Sequence, residues 1–172
     1  MNNQQFDHDR FSDLIAANEE YSHTFKYSDL TGSAARGLAI VTCMDSRINP
    51  LSVVGMRSGD AKILRNAGAR VTEDVLRTLV LATYLLNVDR ILVMPHTDCR
   101  MAQSEESKIH ELIDSQYGVD TRSLEFRVTQ DQESALKTDI TRIRAYPLIR
   151  PGISVAGAIY DVKTGKIDFK SF

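Results

Sequence analysis

The sequence predicts an α/β fold with a mostly parallel central sheet, an antiparallel edge strand and flanking helices. Two observations lead to this prediction: short apolar runs recur along the chain, and stretches with helical periodicity separate them. Connections that contain a helix allow successive strands to run parallel through right-handed crossovers. The chain has 172 residues, of which 42% are hydrophobic and 26% charged, which is the size and composition of one globular domain.

Five segments carry the strand pattern. Apolar and β-branched runs predict buried strands at residues 37–42, 60–64, 90–94 and 154–162. Residues 163–166 read Lys-Thr-Gly-Lys and predict a hairpin turn with Gly165 at positive φ. Residues 167–169 then return as the antiparallel edge strand.

Helical periodicity fills the segments between these strands. Thr72 and Ser104 precede apolar-periodic stretches and are the predicted N-caps, and another helix is predicted to begin near Asp131. Gly118 and Pro147 mark predicted helix ends. A further helix lies near the start of the chain. The apolar faces of the four helices include Leu14, Leu79, Ile113 and Ile140.

Charge and hydropathy exclude two broad classes of protein. Lys plus Arg number 21 against 23 Asp plus Glu, a net charge of −2 without the basic excess of a nucleic-acid binder. The longest apolar stretches, such as residues 79–86, are far shorter than the about 20 residues that cross a bilayer. Residues 1–10 are polar and acidic and lack an apolar signal core. We therefore expect a cytoplasmic protein that binds neither nucleic acid nor membranes.

Both cysteines and one of the four histidines follow predicted strands. Cys43 comes directly after the first strand, and His96 and Cys99 follow the third. Sites in open α/β sheets lie at the carboxyl ends of strands, so these side chains meet if the two strands are neighbours. Two thiolates and an imidazole suit Zn²⁺, and three protein ligands leave the fourth position open, as in catalytic zinc sites. The alternative is that both cysteines are ordinary small buried side chains.

An acidic and a basic residue follow the first cysteine. Asp45 lies two residues beyond Cys43, and Arg47 two residues beyond Asp45. Arginine can hold a carboxylate with two hydrogen bonds. A carboxylate held in this way near zinc has two possible tasks: to orient the attacking hydroxide, or to take the fourth ligand position and switch the site off. The alternative is that Asp45 caps the next helix and Arg47 is a surface charge.

Four segments together resemble one enzyme family. They are CMDSR at 43–47, ILRNAGARVTEDVLRTL at 63–79, HTDC at 96–99 and the ending RIRAYPLIRPGISVAGAIYDVKTGKI. From about residue 37 to the C-terminus, the chain resembles the short bacterial branch of the β-class carbonic anhydrases. The resemblance implies a parallel sheet with core order 2-1-3-4, in which the first and third strands are neighbours.

The resemblance also implies an activity and assigns residues to it. One zinc ion per subunit would be held by Cys43, His96 and Cys99. Asp45 would be the fourth ligand in a closed form, or the partner of Arg47 in an active form. Zinc-bound hydroxide would attack CO₂, so that CO₂ and water interconvert with bicarbonate and a proton.

The substrate pocket and the assembly are implied in the same way. Asn66, Ala67 and Gly68 correspond to the family's pocket segment, although a strand-to-helix turn in which Gly68 has a special φ accounts for most of this motif. The chain would be a single domain, 1–172. It would assemble as a homodimer or a dimer of dimers, with residues 1–30 packing on the partner subunit.

One residue departs from the family pattern. Arg100 stands where the family usually has glycine after the second cysteine. Its side chain could narrow the pocket, add a positive charge that attracts bicarbonate, or point to solvent. Asp98 is assigned no catalytic role. Three other functions stay open: a carbonyl sulfide or carbon disulfide hydrolase on the same scaffold, a zinc-binding relative without turnover, and a metal-free Cys-His-Asp hydrolase.

Overall fold

The computed structural model describes residues 7–172, and the chain forms two compact units. One unit ends at Thr31, and the other runs from Gly32 to Phe172. The first six residues of the predicted arm 1–30 lie outside the described part of the chain. None of the described helices combines the length and the apolar character that a membrane span requires.

The first unit contains the predicted early helix. Helix α1 spans Ser12–His23 and follows a short 3-10 turn at Asp9–Phe11. All residues of α1 are exposed, including the apolar side chains of Leu14 and Ile15. The predicted packing of this arm on a partner subunit stays a prediction.

The second unit is built on one five-stranded sheet. Its order is β2-β1-β3-β4-β5, with β1 to β4 parallel and β5 antiparallel to β4. This arrangement confirms the predicted fold class, the core order 2-1-3-4 and the antiparallel edge strand. The strands are β1 Leu38–Cys43, β2 Ala61–Asn66, β3 Arg90–Met94, β4 Ser154–Tyr160 and β5 Ile167–Lys170.

Strand β1 begins and ends one residue later than predicted. Gly37 has φ +65°, and its carbonyl accepts hydrogen bonds from the amides of Asp89 and Arg90, so it belongs to the turn before the strand. Cys43 is consequently the last residue of β1 and pairs with Asn66 of β2. Gly165 lies in the predicted hairpin with φ +73°.

Alternation along the strands divides the core into two layers. Ala39 and Val41 face one layer, whereas Leu38 and Ile40 face the other. Cys43, at the end of the strand, packs with the second layer although it does not follow the alternation. All six residues of β1 are buried, as expected for a central strand covered on both faces. The first ligand of the predicted metal site therefore stands at the end of a rigid, buried strand.

Five helices belong to the second unit. They are α2 Pro50–Val53, α3 Glu73–Leu85, α4 Arg100–Gln103, α5 Glu106–Tyr117 and α6 Gln132–Arg144. The side chain of Thr72 caps α3 by accepting the amide of Val75, and Asp131 caps α6 by accepting the amide of Ser134. The predicted cap at Thr72 and the predicted start of a helix near Asp131 are confirmed. Helices α3 and α6 contribute their apolar faces to the first core layer.

The start of α5 was predicted incorrectly. Ser104 lies two residues before the first helical residue, and the N-cap is Glu105, which makes no side-chain capping bond. The short helix α4 ends just before Ser104, so the hydroxyl is placed too early to reach the free amides of α5. Gly118, with φ +66°, ends α5 as predicted.

Candidate metal centre

The carboxyl ends of β1 and β3 bring the three predicted ligands together. Cys43 ends β1, and His96 and Cys99 lie in the loop after β3, which pairs directly with β1. Cys43, His96 and Cys99 are 4%, 0% and 3% exposed. Their candidate ligand atoms all lie within 4.8 Å of one another, and the two Sγ atoms are 4.0 Å apart.

The chemistry of these three side chains fits a zinc ion. A tetrahedral zinc with Zn–S bonds of about 2.3 Å places two sulfurs about 3.8 Å apart, close to the observed 4.0 Å. The cysteines are free thiols, far from the S–S length of about 2.05 Å of a disulfide. The Nε2 atom of His96 is buried and has no hydrogen-bond partner among the described residues. Since an unpartnered buried polar atom is costly, this nitrogen is suited to ligate a metal.

Hydrogen bonds behind the ligands orient them toward one point. The Nδ1–H of His96 donates to the carbonyl of Thr97 at 2.8 Å, which leaves the lone pair of Nε2 facing the two sulfurs. The amide of Thr97 donates to the carbonyl of Tyr160 at 2.9 Å and joins this loop to the end of β4. The amide of Gly68 donates to the Sγ atom of Cys43 at 3.4 Å.

The electrostatics of the group favour a thiolate. The hydrogen bond from Cys99 lowers the pKa of Cys43 well below its ordinary value, and the same contact together with burial raises the pKa of Cys99. Burial opposes the charged form of His96, yet the neighbouring Cys43 raises the pKa of His96 above its ordinary value. One thiol therefore ionises readily, and a bound cation would favour ionisation of the second.

Asp45 and Arg47 form an ion pair with two side-chain hydrogen bonds, a clasp, at the edge of this group. The Nε and Nη2 atoms of Arg47 donate to the two carboxylate oxygens of Asp45 at 2.9 and 2.7 Å. These bonds hold the pKa of Asp45 well below its usual range. Its Oδ2 atom lies 3.7 Å from Nε2 of His96. Asp45 does not cap the next helix, because Asn49 caps α2 instead.

A second pair shows that the Asp-x-Arg motif alone does not indicate a functional site. Asp120 and Arg122 make the same three bonds as Asp45 and Arg47, from the backbone amide, Nε and Nη2 of the arginine. The side chain of Asp120 is 58% exposed, whereas that of Asp45 is 19% exposed. The Asp-x-Arg spacing therefore predicts the ion pair but not its role. Of the two pairs, Asp45 and Arg47 are the one that lines the cavity of the ligand group.

Two residues that the sequence reasoning did not assign support the clasp. Asp98 accepts from Nη1 of Arg47 at 2.8 Å, and its own carbonyl accepts from Nη2 at 3.1 Å. Arg65 donates to the carbonyls of Cys43 and Asp45 at 2.9 and 2.5 Å. No sequence pattern indicated these pairs, because Asp98 is 51 residues from Arg47 and Arg65 is 20 from Asp45.

The predicted pocket segment lies after β2. The side-chain amide of Asn66 accepts from the amide of Arg70 at 2.8 Å and donates to its carbonyl at 2.7 Å, so it closes a turn. Gly68 has φ +80°, and a Cβ atom there would lie 3.2 Å from Cβ of Met101. Ala67 lines the cavity of the ligand group. The substrate-binding role of these three residues stays a prediction.

The ligand group opens into a cavity of about 590 Å³. Cys43, His96 and Cys99 form part of its wall, together with Asp45, Arg47 and Arg100. Arg100 is exposed and lines this cavity, so the charge that departs from the family pattern stands at the candidate metal centre.

A parallel sheet that presents a cysteine–histidine–cysteine group beside a clasped carboxylate is the architecture of a metal-dependent enzyme. Residues 38–167 match the family model described as carbonic anhydrase. The chain is 32% identical over 162 residues to β-carbonic anhydrase 1 of Mycobacterium tuberculosis, covering 91% of this chain and 94% of that one. The chain therefore belongs to the β-carbonic anhydrases, a family of enzymes.

Two further likenesses place it within that family. The crystal structure of carbonic anhydrase from Streptococcus mutans superposes with a TM-score of 0.87 and 37% identity, covering 94% of this chain and 97% of that chain. A carbon disulfide hydrolase of Saccharolobus solfataricus is 30% identical over 159 residues, covering 77% of this chain and 76% of that one. The same scaffold thus occurs in relatives named for two reactions.

Proposed function

We propose that this protein catalyses the reversible hydration of CO₂ to bicarbonate and a proton, with one Zn²⁺ per chain held by Cys43, His96 and Cys99. The observation that carries the proposal is the buried group of two sulfurs and one unpartnered imidazole nitrogen within 4.8 Å of one another. When bound, zinc supplies a Lewis acid that makes water acidic enough to attack CO₂ near neutral pH. Every other task falls to side chains of this chain.

Asp45 is the residue that would orient the attacking water. Its carboxylate is ionised at neutral pH because Arg47 lowers its pKa, so it can only accept hydrogen bonds. It would accept one O–H of the water and thereby direct the water oxygen toward the carbon of CO₂. Arg47 would hold the carboxylate in place, and the proton released in the reaction would pass to buffer.

Asp45 has a second proposed task as a fourth metal ligand. Its Oδ2 atom is only 3.7 Å from Nε2 of His96, so a short movement away from Arg47 would bring it into the ligand group. In that position the carboxylate would block the approach of water. The hydrogen bonds from Arg47 support the first of these two tasks, because they hold the carboxylate on the arginine.

The substrate would lie against the segment after β2. CO₂ is small, linear and apolar, and the methyl group of Ala67 offers an apolar wall to the cavity. Asn66 and Gly68 shape this wall indirectly, since their hydrogen bonds and backbone conformation hold the turn that carries Ala67.

The test is stopped-flow CO₂ hydration by the zinc-loaded protein from about pH 6.5 to 9. We expect a rate that rises with pH, and the rise cannot come from Asp45, whose lowered pKa leaves it ionised throughout this range. Asp45→Asn should retain zinc and lose about a hundredfold in kcat. Asp120→Asn, which removes the equivalent charge from the other clasp, should behave as wild type. Absence of CO₂ hydration at every pH in protein that contains zinc would reject the proposed function.

Hydrolysis of carbon disulfide is the second candidate. Three relatives named carbon disulfide hydrolase match 77% of this chain at 26 to 30% identity. That reaction consumes CS₂ and two waters and yields CO₂ and two H₂S. A sulfide assay on the same zinc-loaded protein separates the candidates, because sulfide release without CO₂ hydration would favour this second reaction. The intact clasp of Asp45 and Arg47 argues against a zinc-binding relative without turnover.

We also propose a homodimer or a dimer of dimers. The exposed apolar side chains of Leu14 and Ile15 on α1 support an arm that packs on another subunit. Light scattering of the full chain at several concentrations tests the assembly, and a monomer at all concentrations would reject it. The cytoplasmic location stays a prediction of the sequence.

A further inference from the structure

Two arginines, Arg47 and Arg100, line the cavity of the ligand group and differ in their hydrogen bonding. Every nitrogen of the Arg47 guanidinium donates a hydrogen bond, to Asp45 or to Asp98. Arg100 lines the same cavity and is exposed, and within the described residues its guanidinium makes no hydrogen bond and no ion pair. The charge of Arg47 is thus neutralised by carboxylates of the protein, whereas the charge of Arg100 is available to a ligand.

The charge balance of the cavity indicates what kind of ligand this is. Two thiolates from Cys43 and Cys99 offset the charge of a divalent metal, and Asp45 offsets Arg47. Asp98, the second partner of Arg47, does not line the cavity, so Arg100 leaves the residues that do line it with one net positive charge. A flexible, solvated guanidinium in such a wall attracts anions, and its planar set of donors matches the paired oxygens of a planar oxyanion.

We propose that Arg100 is an anion-binding residue that holds bicarbonate in the cavity. The proposal rests on the proposed function, in which bicarbonate is the only ionic carbon species. CO₂ carries no charge, so the guanidinium discriminates between the two carbon species rather than binding both. Arg100 thereby acts as a specificity residue for the dehydration direction and for competing inorganic anions.

A kinetic constraint determines which quantity reveals this role. The equilibrium constant of the reaction sets the ratio of kcat/KM in the two directions, so no substitution can change that ratio. An arginine that binds bicarbonate therefore shows itself in KM for bicarbonate and in the affinity for other anions. The affinity for an inert anion has the further advantage that it requires no turnover.

The experiment measures thiocyanate binding to zinc-loaded protein by calorimetry, together with KM for bicarbonate. Arg100→Gln should raise the Kd for thiocyanate and KM for bicarbonate by about fivefold. Arg100→Lys keeps the charge and loses the paired planar donors, so it should restore most of the affinity for thiocyanate and only part of the effect on KM for bicarbonate. Arg57→Gln is the matched control. Arg57 is also exposed, its guanidinium has no partner in the described part of the chain, and it does not line this cavity.

Each result tests the anion site at Arg100 independently of the proposed CO₂ hydration. A Kd that rises in Arg100→Gln and not in Arg57→Gln supports the anion site, even in protein that fails to hydrate CO₂. An equal rise in both variants shows general charge attraction and overturns it. An unchanged Kd in Arg100→Gln with full zinc content also overturns it, whatever the rate of CO₂ hydration.

Discussion

Replacing Cys99 by alanine removes one of three proposed protein ligands and should abolish tight zinc binding. Cys43 and Cys99 are the two free thiols of the described chain, so no other described thiol can take the place of Cys99. Cys99 is 3% exposed, and its Sγ atom lies 4.0 Å from that of Cys43. The substitution leaves a two-ligand site of Cys43 and His96. The apoprotein should still fold, because Cys99 lies at the end of a loop rather than within a strand.

The magnitude follows from the number of ligands. Zinc sites with four protein ligands bind with about 10 to 16 kcal/mol, or about 3 kcal/mol for each ligand, so the loss of one ligand weakens binding by about a hundredfold. At a free zinc concentration of about 100 times the wild-type Kd, zinc stabilises the wild type by about 2.7 kcal/mol, and a variant with a hundredfold weaker site by about 0.4 kcal/mol. For a chain of this size these values correspond to gains in Tm of about 5 to 11 °C and about 1 to 2 °C.

The assay is thermal unfolding with and without zinc, accompanied by measurement of the bound metal after dialysis. Met101→Ala is the control, because Met101 lines the same cavity and offers no thiolate. It should keep one zinc per chain and the full gain in Tm. If Cys99→Ala also retained one zinc per chain with a gain in Tm equal to that of the wild type, Cys99 would not be a ligand and the proposed centre would be wrong.

Two further predictions concern residues that the structure revealed. Asp98→Asn removes one of the two carboxylates that pair with Arg47, and asparagine tolerates the observed φ of +56°. The variant should keep its zinc content and lose about threefold in kcat/KM. An unaltered rate would show that Asp45 alone positions Arg47. Asp139→Ala leaves Arg70 without its buried ionic partner, the two side chains being 5% and 19% exposed. This should cost about 3 kcal/mol and lower Tm by about 6 to 12 °C, so an unchanged melting curve would contradict the assigned ion pair.

Much of the fold was predictable because local patterns and long-range packing agree. Apolar runs located all five strands to within a few residues, and the cap Thr72 was identified from its side-chain chemistry. The helices of four residues, α2 and α4, were not predicted because about one helical turn is too short to show a repeating hydrophobic pattern. The missing α4 also explains the wrong cap at Ser104.

The candidate metal centre was predictable for a topological reason. Two strand ends that carry cysteine and histidine must converge if the strands are neighbours, and the order β2-β1-β3 makes them so. The identity of the donor atoms then selects a metal such as zinc from their chemistry alone. A group of this kind is therefore predictable from the sequence when each side chain stands at the end of a strand or in the short loop that follows it.

The sequence by itself determined the α/β class, the approximate positions of the strands and the candidate ligand side chains, because each depends on residue type and short-range spacing. Only the tertiary structure decided which charges in the cavity are neutralised. Arg47 is held between Asp45 and Asp98, whereas the guanidinium of Arg100 has no partner among the described residues, although all four side chains lie in the segments that directly follow β1 and β3. Ion pairing depends on distances of a few ångströms across a fold, and no pattern along the chain encodes such distances.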